Sequence, residues 1–247
     1  MAEHYGARLK IGVVTPSTNT TLEPDCHALC PDGVTAHTAR IPIQNKKISG
    51  NAAYADHVKA MRDGIGQAVS QVVTSAPDHL IMGVALEAFR DGVDGSRQLQ
   101  QELRESAATD VTLGSLAVHH ALQTLSAKRI SVLTPHMPAG DEQVYGWFTE
   151  AGYDIINFLG LECASPRAIA DVTVAEMRTA LNTLDSDDTE VIVQVGTNLQ
   201  FRKFAVAAET MLGKPVLALN SVMMWHALRV NNIDDHIAGA GTLFERF

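Results

Sequence analysis

Short apolar runs alternate along this chain with longer segments in which apolar residues recur at helical spacing. Ile11–Val14, Leu80–Val84 and Val191–Val195 are largely apolar runs that end at polar or small residues, which is typical of buried strands. Tyr54–Val73 and Val174–Leu184 carry the helical spacing. Strands that alternate with helices predict an α/β fold, in which mainly parallel sheets are flanked by helices.

Three segments of the first half of the chain recur in the same order in the second half. Such a repeat predicts two pseudo-symmetric lobes, with a ligand site at the lobe interface where the strand ends meet. We assign residues 1–113 and 217–247 to the first lobe and residues 114–216 to the second. The matching segments are Ile11–Pro16 with Ile130–Pro135, Leu80–Phe89 with Ile192–Phe201, and Leu113–Leu122 with Leu219–Leu228.

Composition and charge narrow the range of partners. The 247 residues, 46% hydrophobic and 19% charged, are enough to bury a core. A net charge of −9 without a basic stripe argues against nucleic acid and against anionic membranes. The N-terminal segment lacks the pattern of a secretory signal, and no apolar run approaches the roughly 20 residues of a membrane span. We therefore expect a cytoplasmic protein that binds a small molecule.

The three cysteines do not form a disulfide framework. Cys26 and Cys30 lie four residues apart with His27 between them, but no second close pair of Cys or His completes a set of four metal ligands. We expect these two residues and Cys163 to be buried as small apolar side chains. The sequence shows no nucleotide or metal motif, so we expect neither a metal nor a cofactor.

The segment Val13–Asp25 resembles the N-terminal signature of maleate cis-trans isomerases and arylmalonate decarboxylases, which belong to the aspartate/glutamate racemase superfamily. His37–Arg40, Gly196–Leu199 and Asn220–Arg229 resemble further segments of these proteins. The similarity covers nearly the whole chain. It implies an enzyme that is a homo-oligomer and acts on a small carboxylate.

The resemblance also implies one cysteine from each half, but those two positions are Val84 and Gly196 here. Neither residue can carry a proton, so two-cysteine racemisation and isomerisation by cysteine addition are excluded on chemical grounds. The decarboxylases keep the second cysteine and place hydroxyls after the first turn, where this chain has Ala85 and Leu86. A tyrosine commonly follows the second Thr-Pro, and here that residue is His136.

Hydroxyl and amide side chains at the strand ends predict a cradle for a carboxylate. By resemblance, Asn19, Thr197 and Asn198 donate hydrogen bonds to the substrate, with Ser17 and Thr18 nearby. Neutral donors of this kind suit an anion. The alternative is that these side chains cap the helices that follow them. The predicted substrate-binding residues are Ser17, Thr18, Asn19, Val84, Ala85, Gly196, Thr197 and Asn198.

Two side chains near the predicted site can handle protons. His136 follows Thr-Pro at a strand end, so we expect it to face the cleft and to titrate near neutral pH. Its alternative roles are to cap a backbone group or to donate to a carboxylate as a neutral ring. Glu87 lies three residues past Val84. It is either a general base whose pKa is raised by apolar neighbours or a first-turn helix acid.

These residues leave two classes of function open. The first is a cysteine-independent isomerase or lyase that moves a proton on a small carboxylate or related polar metabolite, with Glu87 and His136 in place of the thiols. The second is a non-catalytic carboxylate-binding or regulatory relative that lost the thiol pair. A decarboxylase of malonate-type acids is a weaker third interpretation, because the thiol and the first-turn hydroxyls are both absent. The presence of both Glu87 and His136 favours the enzyme.

Overall fold

The computed structural model describes residues 4–48 and 50–247, and within them the chain alternates between strands and helices. The elements of the first half are β1 (Leu9–Pro16), α1 (Leu22–Ala28), β2 (Val34–Ile41), α2 (Gly50–Val72), β3 (His79–Met82), α3 (Ala85–Ala88), α4 (Gly92–Ala107) and β4 (Asp110–Leu113). Those of the second half are α5 (Gly114–Thr124), β5 (Arg129–Thr134), α6 (Pro138–Glu150), β6 (Asp154–Gly160), α7 (Val174–Leu184), β7 (Val191–Gln194), α8 (Arg202–Leu212), β8 (Val216–Ala218), α9 (Leu219–Val230) and α10 (Thr242–Arg246).

The strands form two four-stranded sheets in the described part of the chain, with the orders β2-β1-β3-β4 and β6-β5-β7-β8. Every pairing in both sheets is parallel. The two orders are equivalent when β5–β8 are matched to β1–β4, which is the pseudo-symmetry that the repeat predicts. The predicted fold class, two α/β lobes with mainly parallel sheets, is confirmed.

One hydrophobic cluster spans both lobes, and a second, smaller cluster lies within the second lobe. Buried residues of β1, such as Ile11 and Val13, belong to the same cluster as Ile130 and Val132 of β5. Helices α5 and α9, which carry the third repeated segment, pack against each other and continue this core. Strand β8 pairs with β7, whereas α9 contacts β3 and β4 of the first sheet. The boundaries of residues 1–113 with 217–247 and of 114–216 stay a prediction.

The parallel arrangement decides where a site can form. Strand β1 lies between β2 and β3, and β5 lies between β6 and β7. The carboxyl ends of these central strands therefore meet at the lobe interface, where loops rather than strands supply the side chains. Among the described helices, none has the length and apolar character that crossing a membrane requires.

A line of buried polar side chains connects the first sheet to α9. The Thr112 hydroxyl is 2.8 Å from His79 Nε2 and 2.8 Å from His226 Nδ1. Because one hydroxyl has one hydrogen, it donates to at most one of the two rings and accepts an N–H from at least one of them. Burial lowers the pKa of His79 to about 4 and that of His226 to about 3, so both rings are neutral at pH 7.

We expect this line to make the protein sensitive to acid. The folded chain holds His79 neutral down to about pH 4, whereas the unfolded chain binds that proton below about pH 6.5. The free energy of unfolding should therefore fall as the pH drops through this window, by up to about 1.4 kcal/mol per pH unit for each such histidine. Urea unfolding between pH 7.5 and 4.5 should show a shallower slope in His79→Gln than in the wild type. The exposed His4→Gln serves as the control, and an unchanged slope in His79→Gln would contradict the assignment.

Candidate active site

A cavity lies between the two sheets, at the carboxyl ends of their central strands. It encloses about 80 Å³. Pro16 lies at the end of β1, whereas Pro135 and His136 follow β5. The turns after β3 and β7 contribute as well, so both lobes build the wall. The predicted site residues that line the cavity are Thr18, Asn19, Val84, Ala85, His136, Gly196, Thr197 and Asn198.

Much of this wall is apolar. The turn after β3 contributes Val84, Ala85 and Leu86, and α2 adds Met61. Ile43 closes the cavity from the loop that follows β2. Apolar walls exclude water and strengthen any hydrogen bond made inside them.

The predicted cradle residues bind mainly to each other across the lobe interface. Asn19 Nδ2 donates to Thr197 Oγ1 over 3.0 Å, and Thr197 Oγ1 donates to the Gly83 carbonyl over 3.0 Å. Thr20 N–H donates to Asn198 Oδ1 over 2.9 Å, and the Thr21 hydroxyl donates to the Asn198 carbonyl over 2.9 Å. We call these cross-lobe bonds the clasp. It is formed by the side chains or main chains of Gly83, Asn19, Thr20, Thr21, Thr197 and Asn198.

The clasp leaves few free donors for a ligand. Asn19 Oδ1 accepts the N–H groups of Thr21 and Leu22 over 2.9 and 3.0 Å, which is the capping role considered for it. Asn198 Nδ2 donates to the Pro166 carbonyl over 2.8 Å. Because an amide group has two N–H hydrogens and one of Asn19's is given to Thr197, Asn19 retains a single hydrogen for a ligand.

Two predicted residues lie outside the cavity lining in the part of the chain that the structure describes. Ser17 is exposed, and its hydroxyl bonds to the main chain of Ile43 over 3.0 and 3.2 Å, so it holds the loop after β2 in place. Glu87 is 1% exposed, and its carboxylate pairs with Arg62 over 3.2 Å and with Arg90 over 3.1 Å. This placement matches the structural alternative for Glu87, which therefore does not enter the mechanism proposed below.

His136 reaches the cavity, as predicted from its place after Thr-Pro. It is 8% exposed, and its Nε2 has no hydrogen-bond partner among the described residues. Burial lowers the pKa of His136 to about 4, and neighbouring His57 acts in the same direction. The prediction that His136 titrates near neutral pH is therefore wrong, because an apolar enclosure disfavours the charged ring. His136 is a neutral donor or acceptor at pH 7.

Three further polar side chains line the cavity without having been predicted there: Tyr54, His57 and Cys163. Tyr54 and His57 come from α2, far from any repeated segment, and no local motif marks them. The Tyr54 hydroxyl is buried and finds no partner within residues 4–48 and 50–247, and burial raises its pKa to about 12. The expectation that Cys163 is merely a small apolar residue overlooked its place on the cavity wall.

Gly140 on α6 explains how these groups come close together. A Cβ atom at this position would lie 2.9 Å from His136 Cβ, 2.9 Å from Leu86 Cδ2 and 3.3 Å from the Tyr54 hydroxyl oxygen. The absence of a side chain thus lets α6 approach the wall. A glycine inside a helical segment is a sequence signal from which this close approach could have been predicted.

The turn after β7 has a backbone that disfavours a cysteine. Gly196 has φ +140°, and a Cβ there would lie 2.6 Å from Pro135 Cδ and Cγ. The side chain of Gln194 donates to the Gly196 carbonyl over 2.8 Å and holds the turn. Val84, at the equivalent turn of the first lobe, has the ordinary φ −119°. The second turn is therefore shaped for glycine, whereas the first tolerates other residues.

We expect cysteine to be accepted at one turn and rejected at the other. Gly196→Cys should lower the free energy of unfolding by more than about 3 kcal/mol, because backbone strain of about 1–3 kcal/mol adds to the collision with Pro135. Val84→Cys should cost about 1 kcal/mol, the loss of a small apolar volume. Urea unfolding of both variants gives these values. Gly213→Ala is the matched control, since Gly213 has φ +66° but no atom within 4 Å of its Cβ position. A Gly196→Cys protein as stable as Gly213→Ala would contradict the collision.

Comparisons with known proteins agree with this architecture. Residues 11–244 match the family model of arylmalonate decarboxylase. The maleate isomerase of Pseudomonas putida is 25% identical over 243 residues, covering 95% of this chain and 96% of that protein. The maleate isomerase of Nocardia farcinica is 23% identical over 247 residues, covering 96% of each.

Solved structures show the same fold. The Nocardia farcinica maleate cis-trans isomerase, solved as a mutant with a covalently bound succinylcysteine intermediate, aligns with TM-score 0.88 and 22% identity over 97% of this chain and 99% of that one. A crystal structure of arylmalonate decarboxylase aligns with TM-score 0.79 and 17% identity over 96% of this chain and 100% of that one. The resemblance seen in the sequence is confirmed. Because the family model spans nearly its whole length, the chain belongs to the arylmalonate decarboxylase family.

Proposed function

We propose that this protein is an isomerase or lyase that moves a proton on a small carboxylic acid without a cysteine at either turn. The observation that carries the proposal is a mainly apolar cavity at the lobe interface that is lined by His136, whose buried Nε2 has no hydrogen-bond partner among the described residues. A buried polar atom without a partner is costly unless a ligand or water satisfies it. The maleate isomerases that this chain is similar to act, by their name, on a small dicarboxylate.

The size of the cavity supports a small substrate. It encloses about 80 Å³, and one ordered water needs roughly 10–15 Å³. The cavity is therefore several times larger than the space one water needs, which suits a small organic acid. The apolar wall of Val84, Ala85 and Leu86 favours an acid with an uncharged part on that side.

The chemistry follows from the neutral state of His136. Removal of a proton or of carbon dioxide beside a carboxylate places negative charge on the carboxylate oxygens of an enediolate-like intermediate. We assign the hydrogen of the neutral ring to Nε2, and an N–H fixed there stabilises that charge without first having to lose its own hydration. The remaining amide hydrogen of Asn19 is a second donor in the same cavity. Both groups are held in place before the substrate arrives, by burial in one case and by the clasp in the other.

Decarboxylation is a second candidate: the missing thiol and first-turn hydroxyls count against it, but the apolar character of that turn favours the bond-breaking step. The turn that carries hydroxyls in the decarboxylases has only apolar side chains here, so a carboxylate placed against it would lose hydration. Loss of carbon dioxide disperses that charge, so an apolar wall favours the step. A non-catalytic carboxylate-binding protein would use the same donors and is distinguished by experiment. The proposal also includes three expectations from the sequence and the family. The enzyme acts without a cofactor, forms a homo-oligomer and is located in the cytoplasm.

The test is turnover in D₂O followed by proton NMR, with maleate, alkyl- and arylmalonates and aspartate as candidate substrates. We expect deuterium incorporation or a new product from a small acid. His136→Ala should lower kcat by about 100-fold or more, because a fixed donor to the intermediate is lost. His136→Gln should retain part of the activity, since its amide N–H can reach the position of Nε2.

His27→Gln, an exposed histidine on α1, is the matched control and should behave as the wild type. Activity should also fall as the pH drops through about 4, where the buried His136 ring becomes charged. Full activity in His136→Ala would overturn the role of this residue. A thermal shift with maleate but no turnover of any acid would identify a binding protein instead.

A further inference from the structure

A thiol lies on the cavity wall even though neither turn supplies one. Cys163 follows β6 and lines the cavity together with Pro135 and His136. Its N–H donates to the Pro135 carbonyl over 3.1 Å, and Leu161 N–H donates to the Thr134 carbonyl over 2.8 Å. These main-chain bonds extend the parallel pairing of β6 with β5 into the loop. The sheet itself therefore fixes Cys163 beside the strand end that carries His136.

The same wall carries an independent sign of a ligand. His136 is 8% exposed, lines the same cavity, and its Nε2 finds no partner anywhere in the described chain. The following residue, Ala164, accepts the N–H of Ile48 over 2.8 Å, so the loop with Cys163 is also held to the first lobe. Cys163 is thus held by main-chain bonds on the wall of a cavity that is also lined by a buried histidine without a hydrogen-bond partner for its Nε2.

The protonation states decide what such a thiol can do. Burial raises the pKa of Cys163 to about 11, with the charge of Glu176 acting in the same direction. Burial lowers the pKa of His136 to about 4. At neutral pH the wall therefore holds an S–H group and a neutral imidazole, not a thiolate and an imidazolium. A thiol in this state is a poor nucleophile but can still give a proton to a carbanion, which is a far stronger base.

We propose that Cys163 is the proton donor of the cavity and delivers a proton from the second lobe to the carbon beside the substrate carboxylate. This inference rests on the proposed function. In the step, the S–H bond breaks and a C–H bond forms with the electron pair of the enediolate, which restores the carboxylate. The thiolate that remains regains its proton from water. The wall thus replaces the missing turn cysteine with one from a different element.

The test compares Cys163→Ala and Cys163→Ser with Cys30→Ser in the D₂O assay. Cys30 is a matched control because it is also half-buried and burial also raises its pKa to about 11, but it lies outside the cavity lining. We expect Cys163→Ala to lower kcat by about 100-fold or more with an unchanged KM. The thermal shift caused by the substrate acid should be retained, and Cys30→Ser should match the wild type.

The outcomes separate this inference from the function on which it rests. If the wild type turns over an acid and the kcat of Cys163→Ala is within threefold of the wild-type value, the role of Cys163 is overturned. The proposed function then still stands. A rise in KM with kcat unchanged also overturns it, because that pattern indicates a packing role on the cavity wall. Absence of turnover in the wild type for every acid overturns the proposed function, and the donor role fails with it.

Discussion

The clasp between the two lobes is the interaction on which the site depends. Asn19 follows β1 of the first lobe and Thr197 follows β7 of the second, and their bond joins two turns that line the cavity. Thr20 and Asn198 bond beside them. Because these bonds are shielded from water, losing one partner would leave buried polar groups unsatisfied, at a cost of about 1–3 kcal/mol each. The polar residues of Val13–Asp25 and Gly196–Leu199, two segments that carry the resemblance, thus hold the lobes together and line the cavity.

A consequence is that few polar groups in the cavity remain free to bond to a ligand. Most amide and hydroxyl groups at the strand ends are satisfied internally, which leaves one amide hydrogen of Asn19, the unpartnered atoms of His136 and Tyr54, and the thiol of Cys163. The surrounding apolar side chains lower the pKa of the imidazole and raise those of the thiol and the phenol. All three groups are therefore neutral at pH 7. A cavity of neutral donors suits charge that appears only during a reaction, since it does not require a permanent counter-ion.

Much of the fold could be predicted from the sequence, because strands produce local apolar runs and the two lobes produce repeated segments. The apolar runs gave the strands, and the three matched segments gave two lobes with equivalent sheets. The site was readable in part: Asn19, Thr197 and His136 follow strands, and parallel strands bring their ends together. The pKa of His136 was not readable, because it depends on enclosure by residues distant in sequence. Tyr54 and Cys163 were missed because their positions depend on the packing of α2 and on the loop after β6.

Glu87 is a residue that the sequence placed at the site and the structure places outside the cavity lining. Its place after Val84 suggested a base at the site, but the structure pairs its carboxylate with Arg62 and Arg90 behind the wall. A short helix turns successive side chains to different faces, so Leu86 lines the cavity whereas the next residue, Glu87, forms a buried ion pair. Sequence spacing located the turn correctly and did not determine which of its side chains faces the ligand.

The most direct test of this account is the state of His136 with and without a small acid. Histidine-¹⁵N NMR at pH 7, assigned with the spectrum of His136→Gln, should show a neutral ring protonated at Nε2. Its Nε2 resonance should move when maleate or a malonate is added to saturation. A charged ring at pH 7 would contradict the account. So would a resonance that stays unmoved while the acid is shown by thermal shift to bind.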